Sequence, residues 1–231
     1  MQRGREMPSE RRVWVSAAAL CAVLVIIAFL FLDRPISSFV HAHIGRPHPI
    51  LFAMQSVPEW LVPIATALLV VLGLKALLHP PLARIERALL ATALSLATAQ
   101  FIGNELKILF GRTWPETFVA NNPSFIDNGV YGFFWLHGGA GWASFPSGHT
   151  TAISSVAAAL AFAFPWLRIP CALAVLIVVI GLIGLDFHFL SDIIAGGFLG
   201  TAVAATVTGL MGARDAAVSA GSKRAAARSA H

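Results

Sequence analysis

Residues 13–32 read VWVSAAALCAVLVIIAFLFL, a run without a single charge. A bilayer core takes roughly 20 apolar residues of helix, so this stretch is long enough to cross one. It follows Arg11 and Arg12 and ends at Phe31-Leu32-Asp33-Arg34-Pro35. A secretory leader has a shorter apolar core and a small-x-small cleavage site. Neither fits, and the segment reads as a retained signal anchor. Five further runs of the same kind lie at about 61–78, 88–110, 148–167, 169–185 and 188–211. The composition agrees. Of 231 residues, 57% are hydrophobic and 12% charged, with mean hydropathy +0.77, where a soluble domain is about 25% charged. That excludes a disordered tail, a collagen-like rod and a water-soluble enzyme. The fold class expected is an all-α polytopic membrane protein with six transmembrane helices. Cys21 and Cys171 lie in or beside apolar runs, so no disulfide framework is implied.

Basic residues set the orientation, because cytoplasmic flanks of membrane helices carry the excess of Lys and Arg. With the N-terminus in the cytoplasm, all but Arg34, Arg46, Lys107 and Arg112 of the 16 basic residues fall inside. Both termini are then cytoplasmic, and the net charge of +5 is a topology signal with no nucleic-acid partner behind it. The resulting plan is a cytoplasmic N-terminal segment at 1–12, a six-helix membrane domain at 13–212 and a basic cytoplasmic tail at 213–231. Two long connections, 33–60 and 111–147, face outward. The first mixes apolar with polar residues, which suits short helices lying in the interface. The second is rich in Gly, Asn and aromatics, where Trp114 and Trp142 read as interfacial belt residues. Gly196 and Gly200 read as a helix-packing seam within one chain.

Ionisable residues beside apolar spans are functional candidates. Lys107 and Arg112 end the third span, Pro146-Ser147-Gly148-His149 opens the fourth, and His188 and Asp192 open the sixth. The topology places all three groups at one outer level. His188 and Asp192 are four apart and share a helix face. A carboxylate accepting from one imidazole nitrogen leaves the other free to attack, and His149 could protonate a leaving group. Ser147 and Gly148 bring backbone N–H groups of a helix start, which bind anions. Lys107 and Arg112 add positive charge, Arg112 with a fork suited to phosphate. The set describes phosphoryl transfer through a phosphohistidine, with neither metal nor cofactor required. His41, His43 and His48 share a loop but read as no metal site.

These residues resemble the motifs of the type-2 phosphatidic acid phosphatase superfamily, which includes lipid phosphatases and the vanadium haloperoxidase fold. Pro146-Ser147-Gly148-His149 matches the second motif in full. His188-Phe189-Leu190-Ser191-Asp192 matches the end of the third, continued by Ile193-Ile194-Ala195-Gly196. The first is partial: Lys107, then Gly111-Arg112-Thr113-Trp114-Pro115. The resemblance implies His188 as nucleophile, Asp192 as its orienting partner and His149 as the acid. It implies Lys107, Arg112, Ser147 and Gly148 as phosphate ligands. Two family arginines are replaced, by Trp114 in the first motif and by Leu182, after Gly181, in the third. Arg112 is expected to take over part of their work. Trp114, His137 and Asp186 are candidate substrate contacts.

The function expected is a lipid phosphatase in a bacterial inner membrane, with its site facing outward. Its substrate would be a lipid phosphate or diphosphate, such as undecaprenyl diphosphate, phosphatidate, phosphatidylglycerol phosphate or a lipid A phosphate. A phosphotransferase with the same residues, or a lipid-phosphate binding protein without catalysis, are the alternatives. A solute transporter would place its charges at mid-membrane, whereas here they lie at the helix ends.

Overall fold

A computed structural model describes residues 7–44, 48–118 and 121–229, with side chains placed over 11–44, 48–118 and 121–212. Arg3, Arg5 and Arg46, used above to orient the chain, lie outside the described residues. The side chains of the basic tail do too. The described residues are almost wholly helical and contain no strand, only the isolated bridges Arg112–Phe133, Arg112–Ala143 and Trp114–Ser124.

Helix α1 (Met7–Ile27) runs through a π turn at Ala28–Leu32 into α2 (Asp33–His43). The sequence expectation ended this helix near residue 32, and the structure corrects it. Pro35 has no N–H to give the ladder, and the wide π turn just upstream loosens that ladder and lets the chain continue helical. Asp33, Ser37 and Val40 make a buried face of α2. The segment therefore packs into the protein, with Phe39 on its outer side. Helix α3 (Pro49–Gln55) leads into α4 (Val57–Leu78), which stops ahead of Pro80 and Pro81. Helix α5 (Arg84–Phe110) starts with Glu86 accepting from the Ala83 N–H and pairing with Lys75 of α4.

After α5 the described part of 111–147 is irregular apart from the short helix α6 (Phe125–Asn128) and a 3-10 turn at Ala140–Trp142. The chain then enters α7 (Gly148–Ala163), α8 (Arg168–Gly184) and α9 (Leu190–Ser229). Among the described residues, five stretches are long and apolar enough to cross a membrane: Arg11–His43, Pro49–Leu78, Arg84–Phe110, Pro165–Gly184 and Leu190–Gly212. Helix α7 is shorter, 16 residues, because Pro165 cuts short the run expected to reach 167. It is also the bundle's centre, packed on α5, α8 and α9. The seam with α9 needs glycine. A Cβ at Gly196 would stand 2.6 Å from the Ser147 carbonyl oxygen, and one at Gly200 2.5 Å from that of Thr151. The Gly196–Gly200 pair is thus an intramolecular packing seam.

The outer surface of the bundle is apolar. Leu77 is 81% exposed, Ile169 73% and Trp166 75%, a surface that lipid covers and water would not tolerate.

Candidate active site

The site forms where α5 ends and α7 and α9 begin. Ser147 caps α7, its hydroxyl accepting from the Thr150 N–H at 3.3 Å and from the Thr150 hydroxyl at 3.0 Å. Its own N–H donates to the Asp192 carbonyl at 3.0 Å, which ties the start of α7 to the first turn of α9. Ser147 is fully buried and its hydroxyl is committed to the cap, so its part in anion binding reduces to shaping the turn. The N–H groups of Gly148 and His149 belong to the first helical turn, which has no acceptors of its own. A Cβ at residue 148 would stand 3.3 Å from Lys107 Nζ. Glycine there is what lets the ammonium come up against the helix start.

Asp192 organises the other half. One oxygen, Oδ2, accepts from Ser144 Oγ at 2.6 Å and from the Phe189 N–H at 3.0 Å. The same oxygen faces His188 Nδ1 at 3.4 Å, and Ser144 Oγ is 3.4 Å from that nitrogen. His188 is buried and its ring tilts against Trp114, with centroids 5.1 Å apart. With Nδ1 turned to Asp192, the nitrogen left for chemistry is Nε2. His188, His149, Lys107 and Gly148 line one cavity of about 290 Å³. Glu59 of α4 joins them, its carboxylate 3.7 Å from His149 Nε2. The remaining wall is mostly apolar, with Trp114, Phe118, Leu182 and Phe187 among it.

Arg112 is elsewhere. The sequence reading made it a phosphate ligand, but it has no exposed surface and does not line the cavity. Its guanidinium donates to Asp33 Oδ2 and Ser191 Oγ, both at 2.7 Å, and stands 3.3 Å from Asp192 Oδ1. The rings of Phe133 and Phe189 flank it at 4.7 Å. Asp33 is equally buried, held by Arg112, by the Ser191 N–H at 2.9 Å and by the Ser191 hydroxyl at 2.5 Å. Tyr131 closes this cluster, its hydroxyl 2.6 Å from the Phe29 carbonyl oxygen and 3.1 Å from Asp33 Oδ2, with its one proton for either acceptor. Burial pushes that hydroxyl's pKa well above its ordinary value. Arg112 holds the back of the helix that carries His188 and faces away from the cavity.

The other candidates divide. Trp114 is a wall of the cavity, with its indole N–H donating to the Ala140 carbonyl at 2.9 Å. It is buried, so the interfacial-belt reading is corrected. His137 packs edge-on against Trp142, centroids 4.3 Å apart, away from the cavity lining. Asp186, buried at a positive φ of 53°, sits instead with His41 and Glu116, their ligand-type atoms within 4.8 Å of one another. His41 pairs with Glu116 at 2.5 Å and His43 with its own helix's Phe39 carbonyl at 2.9 Å, so the loop histidines go separate ways.

Sequence reasoning missed Asp33, Glu59 and Ser144. The first two carried a signal, each being a carboxylate at the edge of an apolar run. Ser144 carried none, since nothing local marks one serine of that loop as the one meeting Asp192.

Comparison with known proteins agrees with this architecture. A model of the PAP2 superfamily matches residues 88–215. Over 95 residues the chain is 33% identical to a lipid A 1-phosphatase of Rhizobium etli, covering 41% of this chain and 38% of that protein. The match thus spans well under half the length of that curated relative. Among solved structures, the chain is similar to a transmembrane PAP2-type phosphatidylglycerolphosphate phosphatase from Bacillus subtilis. The TM-score is 0.58 at 18% identity, over 85% of this chain and 94% of that one, a likeness of fold.

Proposed function

We propose that this chain, which belongs to the PAP2 superfamily, is a membrane-embedded lipid phosphatase working through a phosphohistidine on His188. One observation carries the reading. His188, its Nδ1 turned to Asp192, opens into the same cavity as His149 and Lys107. In the first step Nε2 of His188 attacks phosphorus while His149 gives a proton to the departing lipid oxygen. Asp192 and Ser144 hold the ring and favour the imidazolium that develops. Lys107 and the N–H groups at the start of α7 face the oxygens on which charge builds. In the second step His149 takes a proton from water, which attacks the phosphohistidine and frees the imidazole. Fixed cationic and N–H groups carry the charge, so no metal is assigned to the reaction.

The phosphate-bearing head group enters at the helix ends while the lipid tail stays in the bilayer. By the distribution of basic residues, these ends face outward, with both termini cytoplasmic, as in a bacterial inner-membrane enzyme. The names of the two relatives make lipid A phosphate and phosphatidylglycerol phosphate first substrates to try. Phosphatidate and undecaprenyl diphosphate belong in the same panel.

The test is a screen of lipid phosphate esters with purified protein, read as release of the dephosphorylated lipid. His188→Ala and His149→Ala should each abolish turnover while the protein stays folded, and chelator should leave it intact. Near-normal turnover in either variant rejects the mechanism.

A further inference from the structure

Among the described residues the cavity lining holds few charges. Lys107 supplies an ammonium and Glu59 a carboxylate, and the two histidines are the other titratable groups of the lining. The nearest guanidinium in sequence, that of Arg112, is spent on Asp33, Ser191 and Asp192 behind the wall. Trp114 and Leu182 occupy that wall with apolar surface.

A phosphomonoester carries close to two negative charges at neutral pH, its second pKa being about 6. A phosphodiester carries one. One ammonium, helped by the N–H groups of the α7 start and offset by the Glu59 carboxylate, suits the single charge of a diester better than the dianion of a monoester in surroundings of low polarity. Glu59 widens the gap, because its carboxylate lies 3.7 Å from the imidazole that must serve the leaving group and repels a dianion. Toward a head group bearing an ammonium, the same carboxylate is attractive. Trp114 and Phe118, set edge to face with centroids 4.8 Å apart, are rings of the kind that accommodate cations.

We infer that the site takes a zwitterionic phosphodiester lipid, its phosphate against Lys107 and its ammonium toward Glu59. The inference rests on the phosphohistidine chemistry proposed above and moves the preferred substrate from monoester to diester. The step balances in the same way. The Nε2–P bond forms as the bond between phosphorus and the glycerol oxygen breaks, and His149 protonates that oxygen to give diacylglycerol. Water then attacks the phosphohistidine, its proton passing to His149, and the phosphorylated amino-alcohol leaves.

The experiment presents phosphatidylethanolamine, phosphatidylglycerol and phosphatidate in identical mixed micelles to the full chain, with diacylglycerol as the common readout and His188→Ala as the blank. The expected order of kcat/KM is phosphatidylethanolamine, phosphatidylglycerol, phosphatidate, with about tenfold or more between first and last. Glu59→Gln should bring the ratio of the first two toward one, and a ratio is indifferent to any general loss through His149. Faster turnover of phosphatidate than of phosphatidylethanolamine overturns the inference and leaves the phosphatase reading standing. Equal rates on the two diesters, or a ratio that Glu59→Gln does not move, overturn it as well. No diacylglycerol from any of the three, in protein that remains folded, overturns this inference; the parent reading falls only if the wider panel of lipid phosphates named above is left unhydrolysed as well.

Discussion

Two charged assemblies lie on either side of His188, and they use charge in opposite ways. Behind it, Arg112, Asp33 and Asp192 are wholly buried, with Arg112 and Asp33 hydrogen-bonded to one another and to Ser191 and Tyr131. In front of it, Lys107, His149 and Glu59 line an open cavity and meet few polar partners. The first assembly is closed off by burial and spends most of its donors internally, with Arg112 Nε and Asp192 Oδ1 left without a hydrogen bond. The second is under-satisfied and has everything to gain from one. An arginine close to an active site is therefore not by itself part of the grip on the substrate. The difference lies in what already occupies its donors.

The sharpest way to break the comparison is to remove the rear cation. Arg112→Met should leave two buried carboxylates unpaired and cost about 3–5 kcal/mol, read as a lowered unfolding midpoint in detergent. Adding Asp33→Leu should recover part of that loss, because it removes one stranded charge. If Arg112→Met unfolds like the parent and instead raises KM alone, the arginine is a substrate ligand and the division fails.

The front assembly is sharpened by giving it a charge. Trp114→Arg places a guanidinium on the cavity wall and should move the preference toward monoesters by several-fold, about 1 kcal/mol in relative kcat/KM. Because Trp114 is buried, the variant's unfolding midpoint in detergent is read alongside, so that a changed preference is told apart from a damaged fold. An unchanged preference would show that cation count does not set substrate charge.

The smallest effect belongs to the loop between the two. Asp127 accepts from the Thr117 N–H at 2.7 Å and from Ser124 at 3.0 Å, and the first of these holds its pKa below the ordinary carboxylate value. A lowered folded pKa contributes stability above the unfolded value and loses it as pH falls through the folded one. Acidification should therefore loosen segment 117–128 to limited proteolysis. Asp127→Asn should change turnover at neutral pH by no more than about twofold, as befits a surface position.

The front assembly was largely legible in the sequence. Lys107 and His149 in front, like His188 and its partner Asp192, announce themselves as ionisable groups at the ends of apolar runs, and charge distribution alone put those ends at one level; Glu59 was passed over. The apolar replacements at Trp114 and Leu182 were legible too, and both prove to line the cavity. The rear assembly was not. Asp33 reads locally as the polar stop of a membrane helix, and its partner Arg112 lies 79 positions away. Only the π turn at Ala28–Leu32, which keeps the chain helical past Pro35, brings the two together. Gly181 was noted in the sequence only as the residue before the replaced arginine position at Leu182. Its physical role is contact, since a Cβ there would stand 2.7 Å from the Gln55 backbone nitrogen, so α3 can lie on α8 only if that residue stays small.

The nucleophile is the claim on which the account turns, and trapping it is the direct test. The protein is mixed briefly with lipid radiolabelled in its phosphate, quenched in alkali to preserve phosphohistidine, and digested for peptide mapping. The account predicts label on the peptide carrying His188, absent from His188→Ala. Product formation with no label on the protein, or label on any other residue, would contradict it.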